Sequence, residues 1–151
     1  MIRADSDDLQ RISRALKEAG DKGLQKRVSA AMRQEAKPLG ERVLRAGAGK
    51  MPRRGGLSSR ISSRGKVLIS NSLGGKSASV TLRLKTSDGY DLRGLDRGQL
   101  RHPVYGHRKT WVRQSVPANA FTEAFEAEAP RFRQSILKAA QDTLNDVARK
   151  A

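Results

Sequence analysis

The side chains best suited to chemistry or to binding a partner are concentrated between residues 101 and 114. This segment contains the only Trp of the chain, both His and one of the two Tyr, together with several Arg and Lys. Large amphipathic side chains set among cations and turn residues are typical of a surface that contacts another molecule. The sequence predicts that this loop is an interface, formed by His102, Tyr105, His107, Trp111 and Arg113.

Metal binding is the first specific chemistry to consider for the two histidines. His102 and His107 lie five residues apart in a segment rich in Pro and Gly, with Asp91 and Asp96 upstream. They lack the helical i, i+4 spacing that makes a pair of His residues a convincing metal site. The neighbouring Arg and Lys side chains also disfavour a bound cation. We therefore predict no metal site.

Catalytic and cofactor-binding patterns are absent from the sequence. Gly74-Gly75-Lys76 lacks the spacing of a phosphate-binding loop and fits a hairpin turn better. The serines between residues 58 and 63 have no local His or Asp partners of the kind a nucleophile requires. Most Asp and Glu residues fall beside Lys or Arg on helix surfaces, where ion pairing explains them. We predict that the chain is not an enzyme and binds no cofactor.

The strongest compositional signal is positive charge. The net charge is +16, and residues 51–115 alone carry 14 Lys and Arg against 3 Asp and Glu. Such an excess favours contact with a polyanion or with the acidic face of a protein, although a solvated basic surface is the alternative for any single residue. The predicted electrostatic contacts are Arg53, Arg54, Arg60, Arg64, Arg97, Arg101, Arg108 and Lys109.

Length and composition set the class of protein. A chain of 151 residues with 36% hydrophobic and only 4% aromatic residues predicts a single domain, 1–151, with a small aliphatic core. It has no cysteine, no apolar run of membrane-spanning length and no apolar N-terminal signal. These features predict a soluble intracellular protein that does not contact a membrane.

Periodicity predicts a helical region at 6–47, with helices at about 6–19 and 21–47. Pro38 should bend or split the second helix. A basic Gly/Pro/Ser linker follows at 48–65, with Leu57 and Ile61 on one face of a short helical turn.

Alternation of apolar and polar residues predicts β-structure at 66–116. Lys66–Ser70 and Ser79–Lys85 form a hairpin with its turn at Gly74-Gly75, and a third strand covers 110–116. The polar stretch 86–101 is predicted to be an irregular loop that a partner orders. The fold class is thus α+β, with two N-terminal helices, a small antiparallel sheet and a long C-terminal helix packed on it.

The final helix is predicted at 119–149, capped by Asn119 and bent near Pro130. A helix of this length spans about 45 Å, which is more than a compact domain of this size needs. Phe121 and Phe125 are interpreted first as core residues; the excess length makes them interface candidates as well. Trp111 is interpreted either as an interface anchor or as a half-buried strand residue under this helix.

The order of these features resembles that of the neck and tail-completion proteins of tailed bacteriophages. The resemblance covers most of the chain, and its most specific part is the stretch His-Pro-Val-Tyr-Gly at 102–106 followed by Trp-Val-x-Gln-x-Val-Pro at 111–117. Other matching segments are Lys37-Pro38-Leu39, Pro-Arg-Arg-Gly-Gly-Leu at 52–57 and Leu95-Asp96-Arg97-Gly98.

This resemblance implies a structural virion protein without catalytic activity. Such proteins form rings, here expected to be hexameric, that join the tail to the head and surround the DNA channel. The implied partners are further copies of the chain, the tail terminator and the head-side connector or stopper, with double-stranded DNA in the lumen. The implied location is the neck or tail of the virion, and the host cytoplasm during assembly.

A basic, sequence-independent nucleic-acid-binding protein is the alternative. The charge fits it, and Trp111, Tyr90 and Tyr105 are the aromatic side chains on which bases would stack. Recognisable zinc-finger, RNP or basic-zipper patterns are missing from the sequence.

Overall fold

The computed structural model describes residues 2–4, 7–73, 78–104 and 107–150, and it has the predicted α+β architecture. The helices are α1 (Asp7–Ala19), α2 (Lys22–Gly49), α3 (Leu57–Arg64), α4 (Leu92–Asp96) and α5 (Ala120–Lys150), with a 3-10 turn at Arg54–Gly56. The strands are β1 (Ile2–Ala4), β2 (Gly65–Ser72), β3 (Ser79–Thr86), β4 (Gln99–Val104) and β5 (His107–Ser115).

Both predicted N-terminal helices are confirmed. The Asp21 side chain begins α2 by accepting hydrogen bonds from the N–H groups of Gly23 and Leu24, at 2.7 and 3.0 Å. Pro38 lies inside α2 and Pro130 inside α5, and neither proline splits its helix. The predicted turn around Leu57 and Ile61 is also confirmed, as the short helix α3 with both side chains buried.

The most extensive contact between two elements joins α2 and α5. At Gly47 a Cβ atom would collide with the ring of Phe121, and at Gly40 it would collide with Val67 of β2. Two glycines on α2 therefore allow the last helix and the sheet to approach its backbone closely. The main core cluster includes Val28, Met32 and Leu39 of α2, Val80 and Leu82 of β3, and Phe125, Phe132 and Ile136 of α5.

The predicted hairpin is confirmed, with β2 and β3 antiparallel over eight residue pairs from Gly65↔Thr86 to Ser72↔Ser79. Val80 and Leu82 are buried because they face the helices, whereas Arg83 and Lys85 are exposed. Strand β1, which the sequence did not predict, pairs with the other side of β3 and gives the order β1-β3-β2. The predicted turn at Gly74-Gly75 lies outside the described residues.

The prediction of an irregular loop over 86–101 is wrong. Asp91 caps α4 by accepting a 2.9 Å hydrogen bond from the N–H of Gly94, and Leu92 and Leu95 are buried in a second core cluster. The chain then enters β4, which pairs with β5. The predicted third strand is confirmed, but it belongs to a separate two-stranded sheet and does not extend the β2–β3 hairpin.

Helix α5 is capped from a distant part of the chain. The Asp96 carboxylate accepts hydrogen bonds from the N–H groups of Phe121 and Thr122, at 2.8 and 3.1 Å. Asn119, the predicted cap, has a φ of 58° and donates its own N–H to the Asp96 carbonyl. Asp96 therefore takes the capping role that we assigned to Asn119. None of the helices described here has the length and apolarity needed to cross a membrane.

Candidate interaction groove

A groove lies between α3 with its preceding 3-10 turn and the hairpin formed by β4 and β5. Its larger part is a cavity of about 750 Å³ that Arg60, Tyr90, Arg101, His102 and Trp111 help to line. A smaller cavity of about 290 Å³ continues it past Arg54 and Leu57, and shares Arg60, Tyr90 and His102. The groove thus joins the two segments that the sequence predicted as contact surfaces, 52–64 and 101–114.

The floor of the groove is held by the second core cluster. Leu57 and Ile61 of α3 and Leu95 of α4 are buried in this cluster, and Tyr90 and Leu100 pack against it from the groove side. These apolar contacts hold α3 and the start of β4 against the same core cluster. The distance between the cationic side chains of α3 and those of β4 is fixed as a result.

Arg60 is positioned by two neighbours at the centre of the groove. Its Nε donates a 2.8 Å hydrogen bond to the Asp88 carboxylate, and its guanidinium carbon lies 4.7 Å from the centroid of the Tyr90 ring. The hydrogen bond from Arg60 lowers the pKa of Asp88 below its ordinary value. Burial raises the pKa of Tyr90, so its phenol remains neutral over the physiological range.

A second pairing of arginine with an aromatic ring forms the opposite wall. The guanidinium of Arg101 lies over Trp111, 5.4 Å from the centroid of the ring. Trp111 is 51% exposed, and it lines the open cavity together with Arg101. Its half-exposed ring agrees with the interface interpretation better than with a place under the C-terminal helix, since no residue of α5 lines this cavity.

Like charges face each other across the hairpin. Arg101 of β4 is the cross-strand partner of Arg113 of β5. Directly opposed like charges on one face of a sheet destabilise it unless something neutralises them. The two acidic residues in the lining are already engaged, Asp88 with Arg60 and Asp91 at the start of α4. The groove therefore has a local excess of positive charge.

The structure brings together six of the predicted contact residues and separates the others. The groove is lined by Arg54, Arg60, Arg101, His102, Trp111 and Arg113. His107, Lys109, Arg53, Arg64 and Arg97 are exposed but line neither cavity. Tyr105 and the side chain of Arg108 lie outside the described parts of the chain.

Two predictions about this region need correction. The segment 101–114 is a paired hairpin rather than a loop, because β4 and β5 satisfy each other's backbone groups. Phe121 and Phe125 are only 4% and 7% exposed within the chain itself. These two phenylalanines are therefore core residues, the first of the two interpretations, and they offer no surface to a partner of the folded chain.

Comparison with known proteins gives no match. No protein-family model, no curated protein and no solved structure matches this chain significantly.

The sequence did not indicate two parts of the groove. Asp88 gave no signal as the partner of Arg60, because the two residues are 28 positions apart and meet only through tertiary packing. Gln99 and Leu100 lay in the stretch assigned to a loop. The alternation of Leu100, His102 and Val104 with polar residues was the available strand signal, and Pro103 within it obscured the pattern.

Proposed function

We propose that this chain is a structural virion protein of a tailed bacteriophage, which forms a ring in the neck or tail-completion region. The ring joins the tail to the head and surrounds the DNA channel. The proposal starts from the resemblance in the order of features, which covers most of the chain. The geometry supports it with surfaces that are suited to assembly.

The observation that carries the proposal is the exposed β4–β5 hairpin. Among the described residues, this sheet has two strands only, and it exposes Trp111 and Val112 to 51% and 38%. A two-stranded hairpin is at best marginally stable in water by itself. An exposed aromatic residue and cations on such an element are typical of a surface that is completed by a partner.

The long C-terminal helix supports the same function. Its 31 residues span about 46 Å, and Ala140 is the last residue of α5 that is fully buried. Leu144 and Val147 beyond it are only partly buried. A neighbouring copy that packs on this end of α5 would cover them, as expected for head-to-tail contacts that close a ring.

Two measurements test the proposal. The first is the mass of the purified chain over a range of concentrations by analytical ultracentrifugation, where a closed ring is expected and Val147→Asp, at the partly buried end of α5, is expected to weaken it. The second is mass spectrometry of particles produced by a phage genome that encodes the chain. A chain that stays monomeric at all concentrations and is absent from purified particles would refute the proposal.

Sequence-independent binding to nucleic acid remains the second candidate function. The net charge of +16 and the adjacent arginine and aromatic side chains of the groove favour it. A DNA mobility-shift assay at two salt concentrations separates the candidates. Loss of binding near physiological salt is expected if phosphate contacts are incidental, whereas tight, salt-resistant binding by a monomer would favour the nucleic-acid function.

A further inference from the structure

We infer that the groove binds an extended acidic peptide segment of another protein, which adds as a strand to the free edge of β4. This inference deepens the proposed function. The identification of the other protein as a neighbouring virion protein rests on that proposed function. Three observations lead to it: the shape of the cavity along β4, the unneutralised arginines, and the distribution of acidic residues in the chain itself.

The cavity follows one edge of β4. Five consecutive residues, Gln99 to Pro103, line it, whereas β5 contributes only Trp111 and Arg113. Alternate residues of a strand point to opposite faces. A cavity that is lined by every residue of a strand therefore runs beside its backbone edge, and one lined by alternate residues lies over a face.

That edge has backbone groups available for pairing. Among the described strands, β4 pairs only with β5, so its other edge has no strand beside it. Pro103 has no N–H to donate and is tolerated where its nitrogen faces away from the partner strand. The backbone N–H groups of Gln99 and Arg101 point to the same edge as the nitrogen of Pro103, because backbone groups along a strand alternate between its two edges with a period of two residues. Their N–H and C=O groups are the ones we expect an added strand to pair with.

The charge of the groove selects an acidic occupant. Arg101 and Arg113 are opposed across the hairpin, and Arg54 extends the cationic lining on the other side, where Arg60 is already paired with Asp88. Guanidinium groups bind carboxylates through paired hydrogen bonds. A carboxylate placed between Arg101 and Arg113 would turn their mutual repulsion into two attractive contacts. Trp111 and Pro103, also cross-strand partners, supply an apolar surface for the next side chain on the same face.

The described strands of a second copy of this chain do not supply the occupant. None of the described strands contains Asp or Glu. The acidic residues lie in helices, at helix starts or in the turn before α4, apart from Asp5, which is outside the described residues. The described strands thus offer no acidic segment, and we take the occupant to be part of a different protein. A peptide is favoured over nucleic acid because only a peptide backbone has donors and acceptors that match a strand edge.

The test uses a fluorescent peptide of about ten residues, in which Glu alternates with Val, and measures its anisotropy with the full chain. Trp111, the only Trp of the sequence, gives a second readout through its own emission. We expect saturable binding that Arg101→Glu weakens by about tenfold or more. Arg113→Glu should weaken it similarly. Arg133→Glu, the same charge change at an exposed position of α5 away from the groove, should leave binding within about twofold.

Two further probes test the binding mode. A peptide with the same side chains but with an N-methyl group on every backbone amide keeps its charge and has no N–H to donate to a strand edge, so it should bind far more weakly. An oligothymidylate of equal charge tests the nucleic-acid alternative. The inference is overturned if the Glu–Val peptide fails to bind, if the N-methylated peptide binds equally well, if Arg133→Glu has the effect of Arg101→Glu, or if the oligothymidylate binds more tightly. Circular dichroism of each variant excludes unfolding as the cause.

Failure of the groove inference can be distinguished from failure of the proposed function. If the chain is present in particles but binds none of the acidic peptide, only the groove inference is wrong. If the peptide binds at the groove but the chain is absent from particles, the groove chemistry stands and the virion function is wrong.

Discussion

The carboxylate of Asp96 accepts a 2.8 Å hydrogen bond from the backbone N–H of Phe121, which is 25 residues later in the chain. The same carboxylate bonds the N–H and the hydroxyl of Thr122. A negative charge at this position satisfies free donors of the first turn of α5 and interacts favourably with the helix dipole. This contact also fixes the start of α5 beside α4, and so beside the base of the β4–β5 hairpin.

Removing this cap should destabilise the fold. We expect Asp96→Ala to lower the free energy of unfolding by about 1–2 kcal/mol, because two backbone donors lose their partner. Urea unfolding followed by circular dichroism measures the change. Asp142→Ala is the control, since Asp142 only forms an exposed i, i+4 pair with Lys138 on α5 and should cost less than about 0.5 kcal/mol. Equal effects of the two changes would contradict a capping role for Asp96.

The close contact between α2 and α5 predicts opposite effects at two glycines of one helix. A methyl group at Gly47 would collide with Phe121, so Gly47→Ala should destabilise the fold by about 1–3 kcal/mol despite the better helix propensity of alanine. At Gly49 a Cβ atom meets nothing within 4 Å. Gly49→Ala should therefore leave the thermal midpoint unchanged or raise it. A neutral Gly47→Ala would mean that the helices pack less closely than described.

The pairing of Asp88 with Arg60 predicts a pH-dependent contribution to stability. The pKa of Asp88 is lower in the folded chain, chiefly because Arg60 donates a hydrogen bond to it. The ion pair therefore contributes fully to stability at pH values above the pKa of Asp88 in the unfolded chain, about 3.9. The contribution is lost as the pH falls through the pKa of Asp88 in the folded chain. Asp88→Asn should lower the thermal midpoint at neutral pH.

The difference in thermal midpoint between Asp88→Asn and the unmodified chain should disappear at pH values below the folded pKa of Asp88. There the protonated Asp88 and the substituted Asn are both uncharged. Thermal unfolding of both proteins over a pH series measures this. A deficit that stays constant down to the lowest pH would show that charge is not the cause.

Trp111 should contribute little to the stability of the isolated chain. Its ring is half exposed and contacts Arg101, a kind of contact worth about 0.5–1 kcal/mol at an exposed site. We expect Trp111→Ala to cost no more than this. Phe132→Ala, at a residue that is 1% exposed, should cost about 3–5 kcal/mol. Comparable losses in urea unfolding would place Trp111 in the core and would remove the main support for an assembly surface.

The sequence predicted the elements that have a clear local pattern. The apolar spacing of α1, α2 and α5 and the alternation in β3 identified these elements to within a few residues. It predicted neither β1, which has only three residues, nor α4 and β4, whose apolar residues are few and are interrupted by Gly94 and Pro103. For the groove, it identified six of the lining residues but not their proximity, since 52–64 and 101–114 are separate segments.

The sequence by itself determined the helical and strand periodicities, the concentration of positive charge at residues 51–115 and the combination of aromatic and basic side chains around Trp111. These depend only on residue types at short spacing. Only the tertiary structure decided that Asp96 caps α5, that Phe121 and Phe125 are buried, and that Arg60 faces Arg101 across one groove. Each of these depends on the packing of elements that are distant along the chain. Periodicity shows which face of an element is apolar, but not which other element covers it.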